Sequence, residues 1–163
     1  MSERDTHDAA HADDAPRWLD DDEQRAWRGL VALLLRLPAA LERQLQADAG
    51  LTHFEYFVLA LLSEADARTL RLSHLAAQAD ASLSRLSHVI TRLERRGLVR
   101  REPCPEERRA TNAVLTDDGF TLVVATAPGH VAEVRRRVFD ALSQREIAQL
   151  ERVCARILAQ VDH

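Results

Sequence analysis

Seven side chains between residues 84 and 95 share one face of a helical period: Ser84, Arg85, Ser87, His88, Thr91, Arg92 and Arg95. The opposite face carries Leu86, Ile90 and Leu93 at i, i+4 and i+7, with Leu83 and Val89 expected to help bury it. Short hydroxyls and an imidazole near a helix start can exchange hydrogen bonds with base edges in a major groove. Arginine heads further along can reach phosphates. The solvated face of an ordinary helix has the same composition, so the segment C-terminal to it has to separate the two readings. Leu98–Arg101 and Thr111–Leu115 are short strand-like runs. Pro103-Cys104-Pro105-Glu106-Glu107-Arg108-Arg109 between them is a proline-containing loop with charges at its tip. A basic hairpin beside such a helix supplies a second contact, in the minor groove.

These residues need elements to position them, and the helix signals are readable along the chain. Asp20–Glu23 places four acids where a helix macrodipole favours them. Trp27, Leu30, Val31, Leu34, Leu37, Leu41 and Leu45 then recur at helical spacing, with a kink expected at Pro38 and a stop at Gly50. Thr52 and Glu55 make a capping box, with Leu51 and Tyr56 as its hydrophobic staple. Phe54, Phe57, Val58, Leu61 and Leu62 are expected to form the buried face of this second helix. A short third helix starts near Ser73 and turns at Asp80-Ala81. Ser82 is placed to cap the fourth helix, which stops at Gly97. Helices three and four, joined by a three- or four-residue turn, match a helix-turn-helix. Thr116 opens a fifth helix that Pro128-Gly129 kinks or splits. Ser143 and Glu146 open a last helix whose stripe is Ile147, Leu150, Cys154, Ile157 and Val161. A small domain cannot cover that stripe alone, which asks for a dimer.

Charge is distributed unevenly. The net charge is −4, yet residues 1–25 carry nine acids against three arginines, and residues 85–109 carry eight arginines against four acids. Phosphate binding responds to the local field rather than the global sum. The chain contains no lysine, and arginine suits bidentate phosphate contacts. No apolar run, Leu30 to Leu35 included, approaches the roughly 18–20 residues of a membrane span. With an acidic, His-rich N-terminus in place of an apolar signal segment, a cytoplasmic location without membrane contact is expected. Cys104 and Cys154 are too few and too far apart for a disulfide framework or a zinc site. No Gly-rich phosphate loop, nucleophile elbow or metal-ligand spacing is present, so neither an enzyme nor a cofactor or metal protein is expected.

At Leu75-Ala76, at the junction Arg92-Leu93-Glu94-Arg95-Arg96-Gly97-Leu98-Val99, and from Glu107-Arg108-Arg109 through Leu115-Thr116, the chain resembles the multiple-antibiotic-resistance regulator (MarR) family. The family's wing pattern is Asp-x-Arg followed six positions later by Leu-Thr. Glu107 replaces the Asp here; Arg109, Leu115 and Thr116 match. The resemblance implies a mainly α fold with a small β-hairpin wing: a winged helix-turn-helix with N- and C-terminal dimerisation helices. Residues 1–17 are then a disordered acidic tail and 18–163 the MarR-type domain. Within it, 52–116 form the DNA-binding lobe, and 20–48 and 117–163 the dimerisation helices.

The resemblance further implies a homodimeric regulator of transcription on double-stranded DNA, more often a repressor, bound to a palindromic operator and released by a small aromatic effector. Ser84, Ser87, His88 and Thr91 fall at base-reading positions, and Arg85, Arg92 and Arg95 at phosphate-contacting ones. Arg109, with Arg108 beside it, falls at the minor-groove wing tip, and Glu107 at the acid that braces it. Trp27, His53, Tyr56 and Phe57 lie near the family's ligand cleft. A plain core role for Trp27 and Phe57, with His53 facing water, is the alternative. From another class, the competing reading is a winged-helix adaptor that binds proteins and has no specific DNA binding.

Overall fold

The computed structural model describes residues 16–105, 107 and 109–161. Most of the expected acidic tail, and Arg108 of the wing, lie outside the described residues. The chain divides into two compact units between Arg36 and Leu37. In the first, Asp20 and Glu23 shape the start of α1 (Asp21–Ala49). The Asp20 amide donates to Glu23 Oε2 at 3.0 Å and the Glu23 amide to Asp20 Oδ1 at 2.8 Å, closing a capping box. Trp27 and Leu33–Leu35 leave apolar surface exposed on this helix.

The second unit contains the sheet and the other helices: α2 (His53–Glu64), β1 (Thr69–Arg71), α3 (Leu72–Gln78), α4 (Leu83–Arg95), β2 (Val99–Pro103), β3 (Thr111–Leu115), α5 (Asp117–Arg137) and α6 (Gln144–Val161). The fold is mainly helical around a small antiparallel sheet ordered β1-β3-β2. β2 and β3 form the expected hairpin, with Val99 opposite Leu115 and Pro103 opposite Thr111. Pro103 ends an edge strand, where a missing amide donor costs no central ladder bond. The third strand, β1, pairs Thr69 with Val114 and Arg71 with Asn112, and the sequence reading did not anticipate it. It follows a tight turn in which Ala67 and Arg68 take φ of 50° and 53°, the left-handed region that non-glycine residues seldom occupy.

The core is aliphatic. Leu45, Leu51, Val58, Leu59, Leu62, Leu75, Leu86, Ile90, Leu93 and Val99 are almost completely buried. Truncating one of the leucines to alanine would cost about 2–5 kcal/mol. The capping box of α2 forms, with the Thr52 amide donating to Glu55 Oε2 at 2.9 Å and the Glu55 amide to Thr52 Oγ1 at 3.1 Å. Leu51 and Tyr56 are both buried beside it. Cap and staple set the rotation of α2, and this corrects its expected face. Val58 and Leu62 point inward together with Tyr56 and Leu59, Phe54 and Leu61 are only half-buried, and Phe57 is exposed.

Glycine closes α4. Gly97 takes φ of 72°, its amide donates to Glu94 O at 2.9 Å, and the Leu98 amide donates to Leu93 O at 3.0 Å. This left-handed cap turns the chain from helix into wing. At Gly119, in the first turn of α5, any Cβ would collide with the Leu98 carbonyl oxygen and Leu115 Cδ1, so the helix approaches the hairpin base as only glycine allows. Of the two outcomes expected at Pro128-Gly129, the split is corrected, since α5 runs through both residues. α6 starts where expected, with the Ser143 amide donating to Glu146 Oε2 at 2.8 Å. It buries none of its residues. Leu150, Val153, Ile157, Leu158 and Val161 stay exposed. No helix among the described residues is long and apolar enough to cross a membrane.

Candidate nucleic-acid interface

α4 is built to present one face. Ser82 caps it, its Oγ accepting from the Arg85 amide at 3.2 Å, and Leu86, Val89, Ile90 and Leu93 anchor it in the core. Leu83, expected to help bury this stripe, is 53% exposed; as the first residue after the cap it overhangs the core edge. Ser84, Arg85, His88, Arg92 and Arg95 are exposed. At about 1.5 Å per residue they cover roughly 16 Å of helix, enough to follow a major groove for several base pairs.

Ser87 and Thr91 differ from their expected role. Both are half-buried against the wing. Arg101 of β2 donates through Nη2 to Ser87 O and Thr91 Oγ1, each at 3.0 Å, and pairs through Nη1 with Glu94. The Thr91 hydroxyl also donates to Ser87 O at 2.9 Å. Thr91 therefore spends its hydroxyl on joining helix to wing.

Two further arginines tie α4 to the α1–α2 corner. Arg92 Nε donates to Glu55 Oε1 at 2.9 Å. Arg96 Nη1 and Nη2 donate to Gly50 O and Ala49 O at 2.9 and 3.2 Å, satisfying carbonyls at the end of α1. The Arg85 guanidinium stacks 4.3 Å above the Phe54 ring. Between the α2 start and α4 lies an open groove of about 560 Å³ lined by Glu42, Phe54, Ser84, Arg85, His88 and Arg92, among others. Glu55 is only 5% exposed. Burial alone would push its carboxyl up, but the Thr52 amide and the Arg92 guanidinium together outweigh burial and hold it below the ordinary carboxylate value.

In the wing, the Cys104 amide donates to Ala110 O at 3.0 Å and closes the loop. Glu107 does not brace Arg109. Its Oε2 accepts from Arg71 Nη1 of β1 at 2.7 Å, and the same guanidinium lies 3.7 Å from the buried Cys104 Sγ. The third strand thus supplies the wing's support, because β1 brings Arg71 beside the loop. Arg109 is exposed at the loop.

The residues expected near a ligand cleft divide. His53 and Tyr56 gather around His130 of α5, with ring centroids 6.0 and 4.6 Å from it. His130 Nδ1 lies 3.3 Å from Gln44 Oε1. Burial, with His53 nearby, holds the His130 imidazole below the usual histidine value, and burial pushes the Tyr56 hydroxyl up. Phe57 points away to solvent, and Trp27 belongs to the first unit. The residues the sequence reading missed at this interface are Glu55, Arg71, Arg96 and Arg101. Glu55, Arg71 and Arg96 act across 36 or more positions and Arg101 reaches back 7 to 14, and only the arginine content of the region hinted at them. Among the described residues no three His, Cys, Asp or Glu side chains converge to hold a metal.

A helix-turn-helix whose second helix shows a basic, polar face, flanked by a hairpin stapled to that helix, defines a winged helix-turn-helix. Residues 51–111 match the family model described as MarR family. The solved structure of Sco3205, a MarR family transcriptional regulator from Streptomyces coelicolor in complex with DNA, is 45% identical, with TM-score 0.86, over 90% of this chain and 91% of that one. AbsC, a MarR family transcriptional regulator from the same organism, is 41% identical, with TM-score 0.87, over 90% of this chain and 99% of that one. The HTH-type transcriptional regulator PecS of Dickeya dadantii (strain 3937) is 35% identical over 68 residues, so the match spans 42% of this chain and 40% of PecS. The chain belongs to the MarR family of transcriptional regulators.

Proposed function

We propose that this chain is a sequence-specific double-stranded DNA-binding regulator of transcription. It acts as a homodimer, with residues 52–116 as the DNA-binding lobe and the helices in 20–48 and 117–163 as the dimerisation layer. The observation that carries the reading is the exposed row Ser84, Arg85, His88, Arg92 and Arg95 on a capped, core-anchored helix, with Arg109 exposed on the adjoining wing. Sco3205, similar along nearly its whole length, was solved in complex with DNA. In the proposed mode α4 enters the major groove, Ser84 and His88 meet base edges, the arginines meet phosphates, and Arg109 enters the minor groove. Two half-sites about one helical turn apart make the operator palindromic. Occupancy of that operator represses, and a small aromatic ligand at the His53–Tyr56–His130 cluster relieves it.

The test is a titration of duplex DNA with the wild type and with an Arg108→Ala, Arg109→Ala double variant at several salt concentrations. A regulator of this kind loses affinity and part of its salt dependence. A double variant that binds DNA as the wild type does would favour a protein-binding adaptor.

A further inference from the structure

We propose that Glu55 is a positioning residue for DNA binding: it holds Arg92 by Nε so that the guanidinium presents its two Nη groups to a single backbone phosphate. The inference rests on the DNA-binding function proposed for α4 and adds to it a residue that does not itself reach the nucleic acid.

The geometry divides one carboxylate between two tasks. Glu55 Oε2 accepts from the Thr52 amide at 2.9 Å, which fixes the carboxylate to the start of α2. Glu55 Oε1 is left for Arg92 Nε, also at 2.9 Å. The carboxylate is buried while Arg92 stays about half exposed, so the arginine is gripped from the protein side and open on the solvent side. An arginine gripped at Nε keeps its fork of Nη donors, and that fork matches phosphate oxygens two at a time. An unrestrained arginine at the same place would have to give up rotamer freedom on binding. One turn later, Arg96 ties the end of the same helix to the Ala49 and Gly50 carbonyls, beside the start of α2 that carries Glu55.

Two variants separate positioning from capping. Glu55→Gln keeps a capping box, because Gln serves at this position as Glu does. Its single oxygen remains with Thr52, and its amide NH₂ then faces the guanidinium. Arg92→Lys keeps the charge on an exposed side chain but cannot serve Glu55 and a phosphate with separate nitrogens. On a duplex selected by the wild type, each variant is expected to weaken binding about tenfold, the value of one charge-assisted hydrogen bond. The salt slope should change little in either, because both keep a cation at position 92. Adding Glu55→Gln to Arg92→Ala should change little more, since no guanidinium is left to position. A wild type that binds, with both variants binding equally well or more tightly, overturns the positioning role alone. A wild type that binds no duplex overturns the DNA-binding function, and the positioning role with it. Should Glu55→Gln unfold, Arg92→Lys decides the question by itself.

Discussion

Arg101 on β2 and Thr91 on α4 are joined by a 3.0 Å hydrogen bond from Nη2 to Oγ1. The same guanidinium group also reaches the Ser87 carbonyl and the Glu94 carboxylate. Arg101 therefore couples the wing to the candidate recognition helix, so a change in one is felt in the other. Arg101→Ala should cost about 1–3 kcal/mol of stability, since it removes charge-assisted bonds from a side chain that is mostly buried. It should also weaken DNA binding although Arg101 is turned inward. Urea unfolding and a duplex titration check the two parts. Unchanged affinity in a destabilised variant would mean that wing and helix act independently.

His88 is exposed on the middle of α4, away from the arginines' anchoring contacts. His88→Ala should leave stability within about 0.5 kcal/mol. It should shift the preferred base at one position of each half-site by about 1–3 kcal/mol. The salt slope should stay as it is, because a base contact releases no counterion. Repeating duplex selection with the variant gives both results. A uniform loss across all sequences would assign His88 to the backbone instead.

Helix starts were legible because their signals are local. Thr52 and Glu55, Ser143 and Glu146, and Ser82 with the Arg85 amide all act across three residues. Gly97 was legible as a stop for the same reason. The ties that shape the interface are not local. Arg92 and Glu55 are 37 positions apart, and Arg71 and Glu107 are 36 apart. β1 is three residues long and has no alternation to read; its partner strand lies more than 40 positions away. Phe57 was expected inward by its type, whereas the cap of α2 turned Tyr56 and Leu59 to the core instead.

The exposed stripe of α6 is the basis for a prediction about assembly. Leu150 and Ile157 lie two turns apart on a helix that buries none of its residues. A contiguous apolar face of this kind marks a contact surface. The wild type should sediment as a dimer at micromolar concentration, and a Leu150→Glu, Ile157→Glu variant as a folded monomer with helical content retained. A dimer that survives both charges would place the interface elsewhere.

His130 supplies a pH dependence. It faces His53 and Tyr56 of α2 and Gln44 of α1, with Asp48 of α1 close to the neighbouring Gly129. Burial and His53 hold its folded value below the ordinary histidine value of about 6.5. Between those two values the unfolded chain binds the proton and the folded chain does not, so stability must fall as pH drops through that window. Above the ordinary value the contribution is fully present. His130→Gln should flatten the unfolding free energy between pH 7 and pH 5 relative to the wild type. Parallel curves for the two proteins would show that His130 titrates alike in both states.

The proposed function requires α4 and the wing to read DNA sequence as a pair of half-sites. The direct measurement is selection of the purified chain on random double-stranded DNA near physiological salt. Enrichment of an inverted repeat with half-sites about 10 base pairs apart is the expected result. No enriched motif, with only weak salt-sensitive binding, would contradict it.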